Sequence, residues 1–173
     1  MMNCDAYKQA TKLAKEGNFG DAINLLKCEI TNLDKEDSHN SYTKILPYFQ
    51  KDNRYDESVF YSKNILIPKI KKNVRQKFSH RCQELQKAFI NLYISKIYEK
   101  LSLCSKREKR FNEEKEFKEA AQKYYLSYEE LLLIGNKIEL EIEFKRFIVF
   151  FGADLSRWPE GLTDRFQSII SKN

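Results

Sequence analysis

Three short stretches, Gly17-Asn18-Phe19-x-x-Ala22, Asn53-Arg54-Tyr55-x-x-Ser58 and Glu116-Phe117-x-x-Ala120, share one pattern: a polar turn, an aromatic residue, then a small residue three places on. Each reads as the elbow of a helical hairpin, where turn residues stop one helix and the aromatic opens the next. Working outward, a first helix is predicted over about 4 to 16 and a second over about 19 to 33. Ala10 and Ala22 are small where these two must approach closely. The polar run 34–40 supplies cap candidates for the connection that follows. A third helix runs to about Lys51, with a kink or late start at Pro47, and a fourth begins near Tyr55, to be bent or ended at Ile67-Pro68.

Composition agrees with an all-α chain. Among 173 residues there are only five glycines and three prolines, which leaves few turn signals. Apolar residues make up 42% and charged residues 32%, ordinary for one folded domain and against disorder. Leu85, Ala88, Phe89, Leu92, Ile97 and Leu101 follow a three-to-four spacing, which predicts one long helix over about 79 to 104, beginning near Phe78. A charged loop is expected from Ser105 to Glu116, and Gly135-Asn136 reads as a helix stop. The segment 137–151 is crowded with apolar residues and reads as core helix. Alternation from Ile138 to Phe144 leaves a strand as the alternative. A terminal amphipathic helix over about 160 to 171, with Leu162, Phe166, Ile169 and Ile170, would cap the stack, and Trp158-Pro159 reads as an anchor beneath it.

These elbows resemble those of tetratricopeptide-repeat proteins, whose repeat of about 34 residues is a helix-turn-helix with large and small residues at fixed packing positions. Phe19 and Tyr55 are 36 residues apart, close to that period. Tyr42, Ile45, Phe49, Tyr55 and Ser58 match the second unit; Ala10, Leu13, Phe19, Ala22 and Leu26 match the first; Phe117, Ala120, Tyr124 and Ser127 match only the second helix of a third. The repeats are degenerate: Gln9 and Glu29 depart from the pattern, and Phe117 lies 62 residues beyond Tyr55. The resemblance implies a single domain over 1–173, a short solenoid of about seven antiparallel helices. Its hairpins would span about 4–33, 41–72 and 79–134, with a cap over about 137–171. It also implies a concave binding face, whose inward positions here would be Tyr7, Thr11 and Lys15, then Thr43, Gln50 and Lys51. The family's carboxylate clamp requires Lys and Asn at inner positions, and Tyr7 and Thr11 stand at the first two, which argues against capture of chaperone tails.

Catalytic signatures are not found. No phosphate-binding glycine loop, no H-E-x-x-H and no G-x-S-x-G occurs. His80 and Cys82 point apart on a helix, and Glu139, Glu141 and Glu143 would gather only on a strand. Cys4, Cys28, Cys82 and Cys104 lie far apart without a C-x-x-C pair, which predicts reduced, mostly buried thiols and no zinc. No cofactor is expected. The chain carries no apolar run of transmembrane length and no leader pattern, so a cytoplasmic protein without a membrane partner is expected.

Charge is the distribution with functional content. Eight cations stand between Lys63 and Lys87 against the single acid Glu84, and they concentrate the net charge of +6. Lys69, Lys71, Lys72, Arg75 and Lys77 form the centre of this stripe, able to dock an acidic protein surface or phosphates. Phe78 is its only aromatic, a poor supply for base stacking. Three readings follow: a protein-interaction module without catalysis, a bacterial immunity or antitoxin-like protein that neutralises a toxin, and a nucleic-acid-associated repeat protein using residues 63–87. A solvated helix face is the bland alternative for the stripe.

Overall fold

A computed structural model describes residues 4–32, 42–159 and 161–170, and every element among them is helical. In chain order these are α1 (Cys4–Lys15), α2 (Phe19–Asn32), α3 (Leu46–Lys51) and α4 (Tyr55–Tyr61), then α5 (Ile67–Lys77), α6 (Gln83–Arg107) and α7 (Phe111–Phe151), and last the short α8 (Leu162–Arg165) and α9 (Gln167–Ile170). The polar connection 34–40, residue 160 and the end of the expected cap helix at 171 lie outside the described residues.

Two prolines set helix starts. Pro47 stands in the first turn of α3, where its missing N–H is not needed, so the helix begins late rather than kinking. Pro68 stands likewise at the start of α5, and the chain reaches it through a π-helical turn, Ser62–Leu66. That wider turn makes room for a proline ring that would otherwise meet the carbonyl four residues back.

Three tight turns join antiparallel helices with one backbone design. Gly17, Asn53 and Lys109 have φ of 84°, 57° and 58°. The next N–H then reaches back five residues, Asn18 to Leu13, Arg54 to Phe49 and Arg110 to Ser105, at 2.9, 2.9 and 3.0 Å. This is the Schellman closure, which satisfies a carbonyl the ended helix leaves open. An aromatic then starts the new helix: Phe19, Tyr55 or Phe111. The third elbow therefore sits at Glu108–Arg110, not at Glu116, and the loop expected from Ser105 to Glu116 is mostly helix. A left-handed Lys costs about 1–2 kcal/mol and carries no glycine signal, which is why the sequence pattern missed it.

The core is one cluster, filled by Ile23, Leu26, Ile45, Phe49, Leu66 and Ile97 among others, with α6 as the helix that touches α3, α4, α5 and α7. α6 and α7 form the longest hairpin. On α7 the buried or half-buried residues facing it recur in steps of four and three, Phe117, Ala121, Tyr124 and Tyr128, then Gly135 and Ile138, a coiled-coil period. Gly135 is no helix stop, because α7 runs through it for 41 residues. A Cβ there would lie 2.6 Å from Leu85 Cγ and 3.0 Å from the Leu85 backbone nitrogen, so the glycine is a point of close helix approach.

Residues 137–151 are helical, which removes the strand alternative. α7 outruns α6, and the last segment folds back on the surplus: Phe166 and Trp158 pack around Phe144 and Phe147, and Trp158 Nε1 donates to Gly152 O at 2.9 Å. The expected single cap helix is thus two short helices, seated on the end of α7. Phe144, Phe147 and Phe151 supply the aromatic surface on which Trp158 and Phe166 are buried.

Candidate functional site

α5 carries the basic stripe, and its neighbours divide it. Ile70, Asn73 and Val74 face the core, which turns Lys71, Lys72 and Arg75 outward. Lys69 is half-buried and donates to Thr31 O, in the last turn of α2, at 2.9 Å. Lys77 lies 5.8 Å from the Phe78 ring, and Phe78 in turn stacks on Phe89 at 4.3 Å. Lys63 sits over Phe117. Arg81 leaves the stripe altogether: it makes a bidentate bond to Glu139 at 2.8–2.9 Å, and Glu139 also accepts from Cys82 N–H at the start of α6. The Arg81 guanidinium accordingly holds the Glu139 carboxyl below its usual range. Lys71, Lys72 and Arg75 are exposed, without an ion pair among the described residues.

A shallow groove of about 330 Å³ lies beside this face, floored by Ile30, Ile65 and Pro68 and rimmed by Lys69 and Lys72. The π-helical turn opens it by carrying Ile65 outward.

The six inward positions are not an open row. Tyr7, Thr11 and Lys15 share one face of α1, but the Tyr7 carbonyl accepts from both Thr11 Oγ1 at 2.7 Å and Lys44 Nζ at 2.8 Å. Burial lowers the Lys44 pKa. Thr43 is buried, and the Gln50 amide donates to Glu108 of the third elbow at 2.7 Å. Lys51 lies over the Phe19 ring, so only Lys15 and Lys51 of the six are exposed.

The elbow ends hold the densest polar cluster. Arg110 binds both oxygens of Asp56 and one of Glu113, with its guanidinium 4.5 Å from the Tyr55 ring. The Tyr55 hydroxyl donates to Glu113 at 2.7 Å and meets Ser105 Oγ at 2.6 Å, and burial raises its pKa. Lys27 and Arg54 both bind Glu57. These pairs tie the second elbow to the third and to α2.

The remaining candidates separate. His80 is exposed, while Cys82 Sγ is 3.6 Å from Gly135 O. On α7 Glu139 and Glu143 are one turn apart on one face while Glu141 points elsewhere, and the two are held by different cations, Arg81 and Arg165. Cys28, Cys82 and Cys104 are free; Cys104 is buried and its thiol is pushed up to about 11, but Cys28 is exposed, against the expectation of buried thiols. The Cys4 side chain lies outside the described part. No group of three or more metal-ligating side chains gathers among the described residues, and none of their helices is long and apolar enough to cross a membrane.

What the sequence reading missed is the far end of α7, where Val149 is 88% exposed and Phe150 81%. Dividing the helix at Gly135 concealed it; comparing the lengths of α6 and α7 would have found it. No family model, curated protein or solved structure matches the chain.

Proposed function

We propose that the chain is a protein-interaction module without catalytic activity, built from hairpins of tetratricopeptide-repeat type, whose outward α5 face engages an acidic surface on a protein partner. The observation that carries this reading is the trio Lys71, Lys72 and Arg75, adjacent, exposed and unpaired among the described residues, whereas Lys27, Arg54, Arg81 and Arg110 are each held by a carboxylate. Clustered free cations raise the local concentration of an acidic partner and speed its association. The repeated elbow geometry supports the hairpin reading. Phe78 is engaged by Phe89, so the 63–87 stripe itself supplies no free ring for base stacking, and a protein partner is favoured over nucleic acid.

The test replaces Lys71, Lys72 and Arg75 by Glu and compares capture from native cell extract with and without nuclease. Loss of a nuclease-resistant partner, with the melting temperature nearly unchanged, is the expected result. Capture that disappears on nuclease treatment would transfer the face to nucleic acid. Undiminished capture by the triple variant would reduce it to a solvated surface.

A further inference from the structure

The stripe on α7 that packs against α6 does not end where α6 ends. Its last covered members are Ile138 and the neighbouring Glu139, clamped by Arg81 and Cys82 N–H at the start of α6. The same steps of four and three then continue to Ile142 and Val149, with Phe150 beside them. Exposure rises along this path, from half-buried Ile138 to 42% at Ile142 and 88% at Val149. From Ile142 to Phe150 the exposed stretch is about 12 Å long. Among the described residues the folded-back segment packs on Phe144, Phe147 and Phe151 on the other side of the helix and reaches the flank of this stripe only through Arg165, which pairs with Glu143.

Continuity with the α6 interface indicates the shape of the missing partner. Turn after turn, this stripe is met by an antiparallel helix, and the next turns keep the period with apolar Ile142 and Val149 but set a cation, Lys145 or Arg146, between them. Charge indicates its chemistry. Lys145 and Arg146 are exposed between Ile142 and Val149, and neither has an ion pair among the described residues. A second copy fits poorly: pairing two such ends across a two-fold axis would set the Lys145 and Arg146 of one chain against those of the other.

We propose that Ile142, Arg146, Val149 and Phe150 form a docking seam for an amphipathic helix of another protein, laid in line with α6 and carrying carboxylates beside its apolar stripe. This seam is separate from the α5 face and does not depend on it.

The probe is a stapled synthetic helix with Leu at the stripe positions and Glu beside them, read by fluorescence anisotropy, and compared with a twin bearing Lys in place of Glu. The Glu helix should bind the wild-type protein and bind Arg146→Glu at least about tenfold more weakly. Val149→Asp should abolish binding with the helical signal retained, and the triple α5 variant should bind as wild type does. Failure of the Glu helix to bind, equal binding of the Lys twin, or indifference to Arg146→Glu would overturn the proposal. So would sedimentation of a wild-type dimer that Val149→Asp dissolves, which would give the seam to a second copy, or co-sedimentation with phosphatidylglycerol vesicles that Val149→Asp prevents, which would give it to a lipid surface.

Discussion

The two ends of α7 belong to one helix with one apolar stripe, yet Phe117 is 5% exposed at one end and Phe150 81% exposed at the other. The difference does not lie in residue type. α6 is 25 residues long and α7 is 41, so antiparallel pairing from the 108–110 turn leaves the last turns of α7 with no part of α6 opposite them, and among the described residues the folded-back segment packs mainly on their other face. An apolar stripe becomes core only where another element is long enough to reach it, and where none does it becomes surface.

The sharpest way to break this contrast is to truncate both ends. Phe117→Ala should cost about 3–5 kcal/mol, since Phe117 sits in the cluster and stacks with Tyr98, whereas Phe150→Ala should stay within about 0.5 kcal/mol. Urea melts decide it; comparable losses at the two positions would mean that the end of α7 is covered.

Gly135→Val tests the last point of close approach. The new side chain meets Leu85, including its backbone nitrogen, so a loss of about 1–3 kcal/mol is expected from overpacking, despite valine's better helix propensity. A gain in melting temperature would mean that α6 and α7 can move apart freely there.

Smaller still is the clamp at the boundary between the covered and uncovered parts. Arg81 and Glu139 are each about a third exposed, so Glu139→Gln should cost about 1 kcal/mol near neutral pH. Bonding to Arg81 depresses the folded pKa of Glu139 below 4.5, whereas the unfolded chain keeps the ordinary value. The contribution is therefore complete above about pH 4.5 and lost as pH falls through the folded value. The gap in melting temperature between wild type and Glu139→Gln should close in acid; a gap that persists there would show that the carboxylate charge is not what stabilises the boundary.

Much of the first half could be read from residues. The elbows at Gly17 and Asn53 carry their left-handed residues openly, and α1, α2, α3 and the start of α4 fall where periodicity places them. The third elbow was hidden because Lys109 takes the left-handed conformation without a residue that favours it, and Gly135 misled because its use is steric. The basic stripe was visible as a charge run, but Lys63, Lys69 and Arg81 are engaged by a ring, a carbonyl and a carboxylate on other elements, and Lys77 lies against the ring of its neighbour Phe78.

By itself the sequence determined the helical class, the two early elbows, the apolar stripe of α7 and the concentration of positive charge, because each depends on local period, turn chemistry or composition. Only the tertiary structure decided which cations remain free, that Thr43 and Gln50 are closed off, and that the stripe outlasts its partner. Those outcomes depend on which distant segments come to lie opposite one another, and a side chain's exposure is set by that neighbour rather than by its own identity.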